Sequence, residues 1–181
     1  MSKFVEKHRE EAEAIPVKCA IIVTSSTLYE QMTLGIEPED ETGSLIERRL
    51  VEKGFDVIYR RIVPNEWDRI KGAILHAIYE ARADVVITTG GTGLSATDMT
   101  VEVVESLLTK RMPGFGELFR FLSYQEIGAA AMLSRATAGL VDSTLIFALP
   151  GSAQAAQVAL EKLILPELRH AVKQAKKGII K

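Results

Sequence analysis

The chain has 181 residues, 47% of them hydrophobic, 25% charged and 6% aromatic. That length suits one compact domain able to bury about 70% of its unfolded surface, and the composition excludes disorder, a collagen-like repeat and a disulfide scaffold. With 22 basic against 24 acidic residues and one cysteine, Cys19, there is no nucleic-acid footprint and no intrachain disulfide.

No apolar run approaches the ~20 residues of a membrane span. The opening, MSKFVEKHREEAEA, carries charges where a signal peptide needs its apolar region. A soluble, cytoplasmic protein is expected. Residues 1–16 read as a charged N-terminal arm, and residues 17–181 as a single domain.

In chain order, Cys19–Thr24 (CAIIVT) is a short apolar run rich in β-branched residues and without polar alternation, the pattern of a strand buried on both faces. Ser25–Glu41 follows as a loop carrying an acidic knot of Glu37, Glu39, Asp40 and Glu41. Thr42–Lys53 reads as a helix stopped by Gly54. Asp56–Val63 (DVIYRRIV) fits an outer strand whose arginines need water. Glu66–Ala81 places Trp67, Ile70, Ile74, Ala77 and Ile78 on one helical stripe, with Asn65 as its N-cap and His76 facing solvent. Asp84–Thr89 (DVVITT) is a second buried strand, and a helix is expected after Thr100. Thr144–Leu149 (TLIFAL) is a third buried strand, after which Ser152 caps a helical stretch that Pro166 interrupts or restarts. The tail cations Arg169, Lys173, Lys176, Lys177 and Lys181 read as a solvated helix face. The alternation predicts a three-layer, doubly wound α/β fold: a mostly parallel sheet with helices on both faces. In such sheets ligands bind beyond the carboxyl ends of the strands, which selects the loops at Ser25–Glu41, Gly90–Asp98 and Pro150–Ser152.

The stretch TTGGTGLSATD, Thr88–Asp98, carries the strongest signal. Gly90, Gly91 and Gly93 permit positive φ and close backbone approach, so successive N–H groups can face one anion. Thr88, Thr89 and Thr92 add hydroxyls. Asp98 supplies a carboxylate for a hard cation or, alternatively, a cap for the next helix. Gly91-x-Gly93-x-x-Ala96 matches a dinucleotide fingerprint only in spacing, because it follows the wrong strand and no ribose-binding acid lies beyond it. There is no Walker-type loop. The histidines are scattered, so neither a metal cluster with Cys19 nor a nucleophilic triad is suggested.

The segments TTGGTGLSATDMT, RMPGFGELFRFLSYQEIG, LSRATAG and TLIFALPGS, with DETG after the first loop, resemble the MoaB/MogA group of molybdenum-cofactor biosynthesis proteins, also seen as the G domain of gephyrin. FGELFRFLSYQEIG and SRATAG are most similar to the MoaB branch. The likeness covers about residues 17–170. It implies a parallel-sheet fold, a molybdopterin pocket, assembly into trimers or hexamers, and contact with later cofactor-assembly enzymes. For active members it implies adenylylation of molybdopterin by ATP with Mg²⁺; the alternative is a non-catalytic molybdopterin carrier or oligomeric assembly protein. Position by position, the resemblance makes Asp98 the catalytic aspartate and metal ligand. It sets Thr89, Gly90, Gly91, Thr92 and Gly93 in the phosphate- and pterin-contacting loop, with Ser25 nearby. Ser134 and Arg135 fall near the pterin, Pro150, Gly151 and Ser152 in the turn after the last strand, and Asp40, Thr42 and Gly43 on the nucleotide side.

Three positions depart from that pattern. Asn65 stands where the family has its second catalytic aspartate, and an asparagine supplies no charge to a cation; Glu66 or an acid from Glu37–Glu41 could substitute. Gln154 replaces a lysine after the PG turn. The first loop, TSSTLYE, lacks an acid after its serine. Pterin binding survives these changes more easily than adenylyl transfer.

Overall fold

The computed structural model describes residues 15–177, so the charged arm, apart from Ile15 and Pro16, and the last tail residues with Lys181 lie outside the described residues. Six strands form one sheet: β1 (Lys18–Thr24), β2 (Asp56–Val63), β3 (Val85–Thr89), β4 (Lys110–Arg111), β5 (Thr137–Val141) and β6 (Thr144–Leu149), in the order β2-β1-β3-β6-β5-β4. The four on the β2 side are parallel, β5 runs antiparallel to β6, and β4 runs antiparallel to β5. The helices are α1 (Ser26–Thr33), α2 (Glu41–Glu52), α3 (Trp67–Leu75), α4 (Thr100–Leu107), α5 (Pro113–Ile127), α6 (Ala153–Ala159) and α7 (Leu165–Ala175).

The unbroken apolar runs build the central strands because both faces are covered. Along β1, Cys19, Ile21 and Val23 enter one core with α2, α6 and α7, whereas Ala20 and Ile22 enter the other with α3 and α4. β3 and β6 divide in the same way: Val85, Ile87, Leu145, Phe147 and Leu149 on the first face, Val86, Ile146 and Ala148 on the second. That alternation produces the three layers. Cys19 is fully buried, and burial, helped by Asp84 and Asp56, pushes its thiol up to about 12, so it is an inert core residue.

Several local expectations change. The segment after β1 is not all loop, because Ser25 accepts from the Leu28 N–H and starts α1; this helix buries none of its residues, so it carries no apolar stripe to betray it. Asn65 is not the cap of α3. Glu66 occupies that position, without a side-chain bond, because the Asn65 oxygen turns inward and its N–H donates to Ser26 Oγ. Trp67 is 39% exposed, so the buried stripe begins at Ile70. His76 is exposed as expected and opens a π turn through Glu80. A second π turn, Leu160–Ile164, leads into α7, where Pro166 has no N–H with which to continue the ladder. β5 and β4 were not evident in the pattern. β5 (TAGLV) is short and interrupted by Gly139, and it turns into β6 through Asp142, whose φ is +52.

The basic residues also differ from a solvated face. Arg60 on β2 pairs with Asp40 at 2.6 Å and Glu47 at 2.5 Å. Burial works against its charge, but the hydrogen bonds to these two acids outweigh it and hold its pKa above the ordinary value. Arg169 donates to the carbonyls of Ile15 and Gly54 and stacks 4.6 Å over Phe55, and Lys176 pairs with Asp84. Arg169 thus fastens Ile15 at the start of the domain to the last helix, and Lys176 ties the end of that helix to the residue before β3. Replacing the fully buried Ile87 by alanine should cost about 2–5 kcal/mol, read as a lower urea midpoint with an unchanged slope.

Candidate functional site

β1 pairs with β2 on one side and β3 on the other, so the chain changes winding direction between the carboxyl ends of β1 and β3. A crevice opens at such a switch point. Here Thr24 ends β1, and Gly90 and Gly91 leave β3 with φ +89 and +63. A Cβ on Gly90 would collide with the Thr24 carbonyl oxygen, and one on Gly91 with Asn65 Oδ1 and Thr100 Oγ1. Glycine is required at both positions for space as well as for backbone angle. The loop then returns to itself, because the Thr100 N–H at the first turn of α4 donates to the Gly91 carbonyl at 2.9 Å.

The hydrogen bonds decide which loop groups can meet a ligand. The Gly90 N–H is already held by the Leu149 carbonyl. The amides of Gly91, Thr92 and Gly93 have no acceptor among the described residues, leaving three successive donors at the loop's entry. The hydroxyls of Thr88 and Thr89 do not join them: they are directed at the carbonyls of Phe147 (3.4 Å) and Pro150 (2.9 Å). Their residues are buried in the sheet, and the expected donor role falls to the main chain. Asp98 does not cap α4, whose N-cap is Met99; its Oδ2 accepts from the Ser95 N–H at 3.2 Å and lies against the Gly93 backbone.

Elements from three other loops converge here. Gly151 packs against Gly90, with a would-be Cβ 3.3 Å from the Gly90 Cα. Thr42 Oγ1 donates to the Gly151 carbonyl at 2.8 Å, bringing the start of α2 to the same place. Asp40 caps that helix through the Gly43 N–H at 2.8 Å and is 7% exposed. Gly43 has no room for a side chain between Asp40 and Val23. Ser25 and Ser152 cap α1 and α6. Asn65 Oδ1, Thr24 Oγ1 and Thr100 Oγ1 are buried with no hydrogen-bond partner among the described residues.

Beyond the loop lies a cleft of about 540 Å³ whose walls include Glu102, Met112, Arg120, Met132, Ser134 and Arg135. Ser134 Oγ is buried there without a hydrogen-bond partner among the described residues. Arg135 faces back toward the loop: its Nε donates to the Thr92 carbonyl at 3.1 Å, one Nη to the Asp98 carbonyl at 3.3 Å, and both Nη to the Glu102 carboxylate. Gln154 donates to Glu126 at 3.2 Å. Glu66 is exposed, and the described residues contain no group of three or more His, Cys, Asp or Glu placed to hold a metal ion.

A family model described as a probable molybdopterin binding domain matches residues 20–170. The chain belongs to the molybdopterin-binding family of molybdenum-cofactor biosynthesis proteins. Within this family it is 40% identical over 174 residues to molybdenum cofactor biosynthesis protein B of Bacillus subtilis (strain 168), covering 96% of this chain and 98% of that one. It is 36% identical over 162 residues to a probable molybdopterin adenylyltransferase of Methanocaldococcus jannaschii, covering 90% and 96%. Among solved structures, the tungsten cofactor synthesizing protein MoaB from Pyrococcus furiosus superposes with a TM-score of 0.80 at 38% identity, over 90% of this chain and 98% of that one.

Two residues at the site carry no sequence signal of their own. Arg60 holds Asp40, and only the excess of acids in the preceding loop hints that a cation must answer it. Glu102 faces Arg135 from the first turn of α4, where an acid reads as an ordinary helix-dipole residue. Burial works to raise the Glu102 pKa, but the Arg135 hydrogen bond outweighs it and holds the carboxyl below its ordinary value. The stabilisation from this pair is therefore present above the unfolded-state value of about 4.3 and disappears as pH falls through the lower folded one. Comparing unfolding of the wild type and Glu102→Gln across pH should give a constant difference near neutrality that vanishes in acid. Gly91→Ala should cost more than about 2 kcal/mol, whereas Gly35→Ala, at φ +75 in open space, should cost about 1–2 kcal/mol.

Proposed function

We propose that this chain binds molybdopterin at the switch-point crevice and adenylylates it. The terminal phosphate of molybdopterin attacks the α-phosphorus of ATP, a P–O bond forms there, and the bond to the bridging oxygen breaks to release pyrophosphate. The observation that carries this reading is the run of three unengaged amides, Gly91, Thr92 and Gly93, at the meeting point of the glycine loop, the Pro150–Ser152 turn and the start of α2. Aligned N–H dipoles stabilise a polyanion, and reaction by positioning asks little covalent work of side chains. The cleft beside Ser134 is within the size range of small-molecule sites and suits the pterin ring. Asp40, Thr42 and Gly43 then lie on the nucleotide side, with Ser25 and Ser152 at the rim. The name of the Methanocaldococcus jannaschii relative supports the same reaction.

Mg²⁺ belongs to the substrate, arriving with ATP and neutralising its phosphate oxygens. Asp98 fits such an ion: it offers one partly exposed carboxylate, and Mg²⁺ commonly takes one or two carboxylates plus substrate phosphates. Asn65 Oδ1 adds a neutral oxygen only. That neutrality favours a second reading, a molybdopterin carrier without transferase activity. We place either protein in the cytoplasm, the compartment suited to one unpaired cysteine. Its assembly is a homo-oligomer, supported by the exposed apolar row Leu118, Phe121, Tyr124, Ile127, Met132 and Leu133 on and after α5.

Purified protein given ATP, Mg²⁺ and molybdopterin should release pyrophosphate, and Asp98→Ala should slow release by about 10²–10³-fold. Undiminished release in that variant contradicts the assigned role. Tight molybdopterin binding without release in the wild type, together with release in Asn65→Asp, supports the carrier reading. A solution mass of a trimer or hexamer is expected; a monomer at micromolar concentration contradicts the assembly.

A further inference from the structure

Arg135 occupies an unusual position for a residue expected at a ligand. The segment from Thr92 to Asp98 has no regular structure, and its middle, Gly93–Thr97, is exposed. The Thr100 N–H bond to the Gly91 carbonyl closes the loop at its base and Ser95 bonds Asp98 within it, but none of these bonds spans Thr92 to Asp98. Arg135 reaches it from the start of β5's approach and donates to the carbonyls of both end residues, Thr92 at 3.1 Å and Asp98 at 3.3 Å. The remaining guanidinium donors face Glu102, a residue of the helix that the loop enters. The planar fork thus joins three points: the loop's entry, the loop's exit and the first turn of α4.

From this geometry we infer that Arg135, oriented by Glu102, is a positioning residue that fixes the Asp98 carboxylate against the glycine loop, and is not the cation that receives substrate. The inference rests on the adenylyl-transfer reading for its catalytic consequence, but not for its structural one. An isolated surface ion pair would contribute little and would not require a guanidinium. Here the Arg135 side chain is 25% exposed, and two of its bonds are to backbone carbonyls, which a lysine cannot bridge in one plane. Asp98 Oδ2 lies where a Cβ on Gly93 would be only 2.6 Å away, so the carboxylate and the loop backbone move together. A small slackening of the loop therefore carries the carboxylate out of register with the amides of Gly91–Gly93. Misplacements of about 1 Å at a reacting centre can cost on the order of 10²-fold in rate.

The test compares wild type, Arg135→Lys and Glu102→Gln by two measurements. In the ligand-free protein, hydrogen exchange at the loop's bonded amides, Ser95, Asp98 and Thr100, should quicken about tenfold in both variants, with the amides of β3 and β6 unchanged. In pyrophosphate-release assays with molybdopterin, ATP and Mg²⁺, kcat should fall about 10–100-fold in both while KM for molybdopterin stays within about threefold of wild type. Unchanged exchange in both variants overturns the inference. So does a rise in KM alone in Arg135→Lys, which marks a substrate ligand. If Arg135→Lys fails to fold, Glu102→Gln, a near-isosteric change at a half-exposed side chain, carries the comparison. If the wild type releases no pyrophosphate, the adenylyl-transfer reading falls, and the exchange measurement still decides whether the latch exists.

Discussion

One close approach of two backbones organises the rest. Gly90 leaves β3 directly against the Thr24 carbonyl at the end of β1, with Gly151 packed on its other side. Three strand ends meet there with no side chain between them. Any Cβ at Gly90 would drive the β1 and β3 termini apart, so the absence of one atom sets the width of the crevice. The buried alternating faces of β1, β3 and β6 hold those ends in place, because each strand is gripped by a separate core above and below the sheet. A loop could not maintain that approach without such a scaffold.

The chemistry is mostly main-chain chemistry. The threonine hydroxyls of Thr88 and Thr89 bind the neighbouring backbone, and the Gly90 amide is held by Leu149. What remains unengaged among the described residues is the set of amides from Gly91 to Gly93, bordered by one carboxylate. Side chains act chiefly by holding backbone in position: Thr42 on Gly151, Asp40 on Gly43, Arg135 on Thr92 and Asp98. Electrostatic preorganisation of this type needs rigidity more than reactive groups. Membership of the molybdopterin-binding family is consistent with such a site, since the molecule for which that family is named carries a phosphate.

Much of this was legible in the sequence because its determinants are local. CAIIVT, DVVITT and TLIFAL could only be two-sided strands, and the winding order located the crevice. The glycines of the loop announced a turn that needs positive φ and close backbone approach, as seen at Gly90 and Gly91. What escaped were features fixed by partners far along the chain. Asn65 reads as a helix cap, yet its buried oxygen lies against Gly91, 26 positions later. Arg60 reads as a solvated edge residue until α2 places Asp40 and Glu47 beside it. α1 carries no stripe because it buries nothing, and β5 is recognisable only once β6 gives it an antiparallel neighbour.

The most direct test of the central claim is a titration of amide chemical shifts with inorganic pyrophosphate as the polyanion. The account predicts saturable shifts concentrated at the Gly91, Thr92 and Gly93 N–H groups, weaker ones at Thr42, and little change at Gly90 and Gly43, whose amides are already bound to Leu149 and Asp40. Saturable binding whose largest shifts fall away from this loop, or no saturable shift at all, would contradict it.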